Sequence, residues 1–321
     1  MDYVLADGPY KRVKIAVVDT GLATTPAQKP PTLVSDNLDR FVDCESFEGS
    51  GIWKKDLDGH GTHTATLLLQ VCPNAEIMVL RVVEKHGDAI KPKAVSEAIN
   101  HAIDKGADII SISLGWNYPS DDMKDALERA QRDNVLVFAA TSNDGSRKRT
   151  GIAYPASAIN VIAVDSADGD GVPSGSNPTD KHHKGVRLAA PGEDVLSAVP
   201  PDKDSSGLLR KTGTSFATPI VSGTAALLLE FARQPPLAQY PKIAAKLKEL
   251  PCMYNVILEF CSVEKMLYQN YRFLQPWKKL CSSDPEDPWG GNADDQKSSR
   301  FVQAYALIGY LRDCEDPQIL H

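Results

Sequence analysis

The most informative stretch of this chain is Gly213-Thr214-Ser215-Phe216-Ala217-Thr218-Pro219, which places a serine among small residues. Small neighbours leave the serine hydroxyl open to an approaching carbonyl group. The apolar run Ile220–Phe231 follows, and its length and composition predict a buried helix over Ser215–Phe231, with Pro219 in the first turn. Ser215 would then lie at a helix N-terminus, where free N–H groups and the helix dipole stabilise an oxyanion. The alternative is a serine that only caps a core helix.

Two further segments supply a histidine and an aspartate. His60 lies in Asp58-Gly59-His60-Gly61-Thr62-His63-Thr64-Ala65, at the glycine-flanked start of a predicted helix. In this open position an imidazole can serve as a general base. Asp19 follows Val13–Val18, which is apolar except for Lys14 and predicts a buried strand. A carboxylate at the end of that strand can accept a hydrogen bond from one ring N–H of His60 and fix the tautomer of the ring.

The three segments resemble the signatures of subtilisin-like serine proteases, whose catalytic residues occur in the same order, Asp, His and Ser. The resemblance spans roughly residues 10 to 232. It implies that Asp19 is the orienting acid, His60 the general base and Ser215 the nucleophile. His63, three residues after the first histidine, is expected to be structural.

Two shorter matches concern the substrate site. Phe138–Gly145 resembles the strand end that carries the oxyanion-hole asparagine of the family, which implies this role for Asn143. The family usually has glycine before that asparagine, and Ser142 in this chain therefore predicts a different shape for the neighbouring pocket. Ser113-Leu114-Gly115 resembles the edge that pairs with the substrate backbone, so that the peptide adds a strand.

The resemblance also implies a pocket for the residue before the cleaved bond. The stretches that would line this pocket contain Ala139, Ala140, Thr141, Ser142, Ala153 and Ala156. None of these residues is acidic. We therefore expect a small or apolar substrate residue there rather than arginine or lysine.

Strands that alternate with helices predict an α/β fold, here a mostly parallel twisted sheet with helices on both faces, as in subtilisin. The predicted strands are Lys14–Asp19, Glu76–Val82, Asp108–Ser113, Val135–Ala140, Val161–Val164 and Val186–Ala190. The predicted helices of this unit are His60–Gln70, Lys93–Lys105, Asp121–Asp133 and Ser215–Phe231. Residues 24–55 are predicted to be irregular surface.

The pattern changes after Gln234-Pro235-Pro236, which divides the chain into a catalytic domain of residues 1–235 and a helical C-terminal extension of residues 236–321. Helical spacing in the extension covers Ala238–Leu250, Met253–Lys265 and Arg300–Arg312. We expect the extension to pack on the catalytic domain and stabilise it, with a partner-binding module as the alternative.

Composition narrows the function further. The 321 residues are 42% hydrophobic and carry a net charge of −7, which disfavours a nucleic-acid role. No membrane span is expected, because no apolar run reaches the ~18 residues that a bilayer requires. The start of the chain lacks the features of a secretory signal. Six cysteines without framework spacing are expected to stay reduced, which favours a cytoplasmic protein.

No cofactor or metal is expected. Many members of the family carry a calcium loop after the catalytic histidine, but this chain passes from Leu67–Gln70 through Val71-Cys72-Pro73 without that insertion. Asp165–Gly171 offers oxygen ligands for weak calcium binding, yet it lacks EF-hand spacing and is better explained as a solvated turn. Two polar clusters, Arg147-Lys148-Arg149 and His182-His183, are expected to be surface loops.

Asp19-Thr20-Gly21 is also the active-site tripeptide of aspartic proteases, but these enzymes need a second such motif, and the chain has none. The favoured function is therefore a serine endopeptidase that acts on peptides or proteins, intracellular and regulatory. The alternatives are a peptide-maturation protease or transpeptidase, and a catalytically silent binding module. The chain more loosely resembles protease domains of fungal multidomain immune-receptor-like proteins, which implies a piece of a larger chain.

Overall fold

A computed structural model describes residues 11–49, 51–145, 151–178, 185–235, 237–264 and 272–275, together with Leu307 and Leu311. The clusters Arg147-Lys148-Arg149 and His182-His183 lie outside the described residues. The predicted helix Arg300–Arg312 also lies outside them, except that Leu307 and Leu311 are helical and buried.

One large twisted sheet forms the centre of the molecule. Its strands are β1 (Lys14–Asp19), β2 (Glu45–Ser46), β3 (Glu76–Arg81), β4 (Ile109–Ile112), β5 (Leu136–Ala140), β6 (Ile162–Ala167), β7 (Arg187–Pro191), β10 (Ser262–Glu264) and β11 (Arg272–Leu274). Their order is β10-β11-β7-β6-β5-β4-β1-β3-β2. All neighbours pair in parallel except β10 and β11. The strands β8 (Val195–Ala198) and β9 (Leu208–Lys211) form a separate antiparallel pair.

Helices cover both faces of this sheet, as predicted. They are α1 (Thr32–Ser35), α2 (His60–Val71), α3 (Pro92–Asp104), α4 (Asp121–Arg132), α5 (Thr214–Ala232), α6 (Pro241–Ala245) and α7 (Leu250–Cys261). All six predicted strands and all four predicted helices of the catalytic unit are present. In its described part, the predicted irregular stretch 24–55 holds only short elements: α1, β2 and the 3-10 turns Pro26–Gln28 and Leu38–Arg40.

The central strand β1 shows why this sheet is covered on both faces. Its side chains alternate between two cores: Ile15 and Val17 pack on the side of α2 and α5, and Ala16 and Val18 pack on the side of α3 and α4. A strand that is apolar on both faces is typical of a buried parallel sheet. Full burial of each valine or isoleucine side chain stabilises the fold by about 1.5–3 kcal/mol.

The helix α5 lies in the core against α2. A Cβ atom added at Gly223 would lie 2.7 Å from Cγ1 of Val71, so the absence of a side chain allows the two helices to approach closely. By length and hydropathy alone, α5 could cross a membrane, although no membrane span was predicted. Within the protein, however, 83% of the most apolar segment of α5 is buried.

The position of Pro219 differs from the prediction. Because α5 begins at Thr214, Pro219 lies in the second turn, where its missing N–H leaves the Ser215 carbonyl without an intrahelical donor. The hydroxyl of Ser113 donates to that carbonyl at 2.8 Å instead. The proline therefore helps to connect the start of α5 to the end of β4.

The C-terminal extension is helical in part. Pro241 interrupts the predicted helix Ala238–Leu250, and only α6 with short 3-10 turns on either side forms there. The helix predicted over Met253–Lys265 is α7, which ends at Cys261 and continues directly into β10. With β11, this strand extends the central sheet beyond β7, through the pairing of Phe273 with Ala189. The extension therefore contributes two strands that the helical pattern did not reveal.

Candidate active site

The order of the strands locates a cleft. The chain passes from β3 to β4 on the other side of β1, so the crevice at the carboxyl ends of β1 and β4 is a topological switch point, where α/β proteins bind ligands. A cleft of about 220 Å³ lies in this region. Its lining residues are His86, Ser113, Leu114, Gly115, Trp116, Asn117, Ala140, Ser142, Asn143, Asp144, Gly151, Ala153, Thr214 and Ser215.

Asp19 and His60 form a buried pair. Asp19 ends β1, and its Oδ1 lies 2.7 Å from Nδ1 of His60 at the start of α2. Oδ1 also accepts the N–H of Thr20, and Oδ2 accepts the hydroxyl of Thr64. Burial opposes ionisation of Asp19, but the charge of His60 and the hydrogen bonds from His60 and Thr20 outweigh it and lower the pKa of Asp19 below its usual value. The carboxylate therefore holds the proton on Nδ1 and leaves Nε2 as the basic nitrogen.

A second buried carboxylate, Asp56, fixes the start of α2. Its Oδ1 accepts the N–H of Gly59 at 2.8 Å, and its Oδ2 accepts the N–H and the hydroxyl of Thr62. Asp56 also accepts a hydrogen bond from Thr20 Oγ1, which in turn accepts one from the N–H of Gly61. Asp56 was not predicted from the sequence, although an acid shortly before a predicted helix start is a recognised capping signal.

Ser215 lies in the first turn of α5, where its backbone N–H has no intrahelical partner. Its hydroxyl donates to the carbonyl of Ser113 at 3.1 Å. Nε2 of His60 is buried and has no hydrogen-bond partner in the part of the chain that the structure describes. The next residue, Phe216, places its ring centroid 5.2 Å from that of His60.

Asn143 lies beside the start of α5. Its Oδ1 accepts the N–H of Thr214 at 2.8 Å and the hydroxyl of Thr214 at 3.2 Å. This contact identifies the amide oxygen, so Nδ2 is the atom that carries the two N–H donors. The side chain approaches Gly213 so closely that a Cβ atom there would lie 2.9 Å from Nδ2, and the φ of Gly213 is +149°. Glycine is therefore required at this position.

Ser142 adopts a backbone conformation that favours glycine, with φ at +147°. Its Oγ accepts the N–H of Asp144 at 3.1 Å, and this hydrogen bond closes the loop that carries Asn143. Because the family usually has glycine at this position, Ser142 introduces backbone strain at the cleft. Such strain is common at functional sites.

All five residues predicted to contact substrate, Ser113, Leu114, Gly115, Ala140 and Ser142, line the same cleft as Ser215. The wider pocket prediction is partly wrong. Ala153 lines the cleft, but Ala139, Thr141 and Ala156 are fully buried. Ala139 belongs to the core because alternate residues of β5 point to opposite faces of the sheet. Ala156 belongs to the same core because the turn that contains it packs inward. Thr141 donates its hydroxyl to the buried Asp165.

Six lining residues were not predicted: His86, Trp116, Asn117, Asp144, Gly151 and Thr214. His86 is the most unexpected of them, because it lies in the loop after β3 and stacks on His60 with ring centroids 4.4 Å apart. Burial, followed by the charge of His60, lowers the pKa of His86 below its usual value, so this imidazole is neutral at neutral pH.

His63 has structural contacts, in line with its expected role. It is fully buried, and its Nε2 lies 3.1 Å from the carbonyl of Val195 and 3.0 Å from that of Leu209. Nδ1 is buried and has no hydrogen-bond partner among the described residues. Burial lowers the pKa of His63 to about 4. The neutral ring thus connects α2 to the pair of strands β8 and β9.

No group of three or more His, Cys, Asp or Glu side chains in the described ranges is arranged to hold a metal ion. In the acidic turn, Asp165 pairs with Arg187, and Asp168 accepts two backbone N–H groups. The helix α2 runs without interruption. The four described cysteines, Cys44, Cys72, Cys252 and Cys261, form no disulfide.

Two features of this site are typical of serine hydrolases: a serine at a helix N-terminus, and an imidazole bonded through Nδ1 to a buried carboxylate. The model of the subtilase family matches residues 10–247. The chain belongs to the subtilase family and is a subtilisin-like serine endopeptidase. The resemblance seen in the sequence is therefore confirmed.

Individual relatives agree with this assignment. The chain is 32% identical over 236 residues to the "Major intracellular serine protease" of Bacillus subtilis (strain 168). The aligned region covers 70% of each protein. It is 41% identical over 191 residues to "Subtilisin-like protease het-Q2" of Podospora anserina, over 56% of this chain and 50% of that protein. Among solved structures, the "Prenylagaramide maturation protease PagA" superposes with a TM-score of 0.63 and 26% identity, over 82% of this chain and 91% of that chain.

Proposed function

We propose that this endopeptidase cleaves peptide bonds with the triad Asp19, His60 and Ser215, through an acyl-enzyme intermediate. The observation that carries the proposal is the 2.7 Å contact between Asp19 Oδ1 and His60 Nδ1. This contact leaves Nε2 of His60 as the base, and the same nitrogen is buried without a partner among the described residues.

In the proposed first step, His60 takes the proton of the Ser215 hydroxyl as the oxygen attacks the peptide carbonyl. Before this step, the hydroxyl must rotate from the Ser113 carbonyl, where it donates now, toward Nε2. Such contacts commonly form only when substrate is bound. His60 then gives the proton to the leaving amine, and water repeats the sequence to release the acyl group.

The negative oxygen of the tetrahedral intermediate would be held by two donors. One is the backbone N–H of Ser215 in the first turn of α5, where the helix dipole adds to the hydrogen bond. The other is Nδ2 of Asn143, which is free to donate because Oδ1 is fixed by Thr214. Donors that are positioned before the reaction begins stabilise the transition state without reorganisation.

The substrate backbone would pair with Ser113-Leu114-Gly115 as an added strand. The residue before the cleaved bond would enter the side of the cleft formed by Ala140, Ser142 and Ala153. These side chains are small and uncharged, so they favour a small or apolar residue over a basic one.

We also propose that the enzyme is cytoplasmic, works without a cofactor and takes peptides or proteins as substrates rather than nucleic acid. The lack of a disulfide among the four described cysteines and the similarity to intracellular serine proteases support this environment. The similarity to het-Q2 covers half of that relative, which supports a catalytic unit within a larger multidomain chain.

A second candidate is a peptide-maturation protease, with hydrolysis or transpeptidation of a precursor peptide. Similarity to the "Prenylagaramide maturation protease PagA" favours this function. Both functions would use the same residues. Mass spectra of the products separate them, because ligation joins the acyl fragment to an added amine whereas hydrolysis releases a free carboxylate.

The first test is to incubate the purified chain with a fluorophosphonate probe and to locate the label by mass spectrometry. We expect label on Ser215 and none in Ser215→Ala, with reduced labelling in His60→Ala because the serine loses its base. The control is Ser206→Ala, since Ser206 is an exposed serine of the loop between β8 and β9. Folded protein without label on Ser215 would contradict the proposed triad and favour a silent binding module.

A further inference from the structure

His86 covers one side of His60. The two imidazole rings are 4.4 Å apart and nearly parallel, with an angle of 21° between their planes. The ring of Phe216 also lies beside His60, at 5.2 Å and a tilt of 49°. His60 is only 3% exposed as a result, whereas His86 itself is exposed on its outer side.

The loop that carries His86 is held in place. The N–H of His86 donates to Oδ2 of Asp58 at 3.2 Å, which ties the loop to the segment before α2. On either side of His86, the N–H of Lys85 donates to the Asp88 side chain and the N–H of Asp88 donates to the Lys85 carbonyl. Gly87 completes this turn with φ at +93°. The ring therefore has a defined position over His60.

The course of the substrate follows from strand geometry. A peptide paired with Ser113–Gly115, with its cleaved carbonyl at Ser215, directs successive side chains to opposite sides. If the residue before the cleaved bond enters the side of Ala140 and Ser142, the residue before that points toward His60. His86 lines the cleft on this side and occupies the space over the imidazole ring.

We propose that His86 is a specificity-determining residue. Its ring fills the space for the second substrate residue before the cleaved bond, so the enzyme selects peptides with glycine or alanine at that position. A larger side chain must displace the ring from His60 and lose the stacking contact. This inference rests on the proposed function, because it assumes that Ser215 attacks the peptide.

The test uses the whole chain and a peptide library randomised at the three positions before the cleaved bond. The variants are His86→Ala, which opens the space, and His86→Phe, which keeps a ring there. Lys85→Ala is the control, because Lys85 is exposed in the same loop and is not among the residues that line the cleft. Fluorophosphonate labelling of Ser215 and thermal unfolding are measured for each protein.

We expect the wild type to prefer alanine over leucine at the second position by about tenfold or more in kcat/KM, since a pocket discriminates by about 10–200-fold for a methylene that fits poorly. In His86→Ala the preference should fall by about tenfold, through faster cleavage of the leucine peptides. His86→Phe and Lys85→Ala should keep it. Preference at the first position should not change in any variant.

An unchanged preference in His86→Ala, with Ser215 still labelled, would overturn the role of His86 and leave the proposed function intact. Absence of label on Ser215 in the folded wild type would instead overturn the proposed function, and the inference with it. The two failures are therefore distinguishable.

Discussion

Acid should destabilise this protein through His63. The neutral ring bonds to the carbonyls of Val195 and Leu209, and its buried Nδ1 has no acceptor nearby for an added proton among the described residues. Burial lowers the pKa of His63 in the folded protein from 6.5 to about 4. The unfolded chain therefore binds more protons than the folded one between these two values. This contribution to stability is fully present above pH 6.5 and is lost as the pH falls toward 4.

The magnitude follows from the two pKa values. Proton linkage gives a loss of about 2.5 kcal/mol in the free energy of unfolding when the pH falls from about 7.5 to about 4.5. His63→Gln removes the titration and keeps an amide N–H that can donate to the carbonyls of Val195 and Leu209. The wild type should therefore lose about 2.5 kcal/mol more than His63→Gln over this pH range.

The assay is urea unfolding at the two pH values, followed by circular dichroism. Both proteins carry Ser215→Ala to prevent self-digestion. Contributions from other titrating groups, such as Asp19 and His86, occur in both proteins and cancel in the comparison. An equal loss of stability in the wild type and His63→Gln would refute the reasoning, since it would mean that His63 titrates alike in the folded and unfolded states.

Two further predictions concern the oxyanion donor and a buried carboxylate. Asn143→Leu should lower kcat by about 10²–10³ with little change in KM, because Nδ2 is expected to bind the transition state but not the substrate. A change in KM without a change in kcat, measured by steady-state kinetics, would contradict this role. Asp108→Asn should lower the free energy of unfolding by about 3 kcal/mol, because Asp108 is 1% exposed and pairs with Arg233 and Lys248. Urea unfolding of Asp108→Asn measures this loss, with Asp121→Asn as the control at an exposed residue. Equal stability of the two variants would show that the ion pairs of Asp108 do not stabilise the fold.

Much of the fold could be predicted because its signals are local. The strands β1 and β4 are short apolar runs, and α5 is a long apolar run with a nucleophile motif at its start, so their residues identify them without any partner. The same holds for the site: Asp19, His60 and Ser215 lie where those local patterns begin or end. Their positions in the sequence are therefore sufficient to identify them as candidate catalytic residues.

Other features depended on partners far away in the chain. The first residues of α5 are helical although Pro219 lies in the second turn, because Ser113 supplies the donor that the proline cannot, from 102 positions away. Likewise Thr141 was expected in the pocket, but the alternation of side chains across the sheet buries it against Asp165. Ala156 was also expected there, but it packs in the core. The strands β10 and β11 form because the edge of β7 offers hydrogen-bond partners, which no pattern in the extension reveals.

The sequence by itself determined the class of fold, the family and the residues to consider for catalysis, because apolar periodicity and short motifs reflect local geometry. Only the tertiary structure brought Asp19 within 2.7 Å of His60 across 41 positions, aligned Asn143 with Thr214 and placed His86 over the imidazole ring. These contacts join strand ends, helix starts and loops that lie far apart in the chain. Their distances are set by how the strands pair and how the helices pack, and neither can be read from a single segment of the chain.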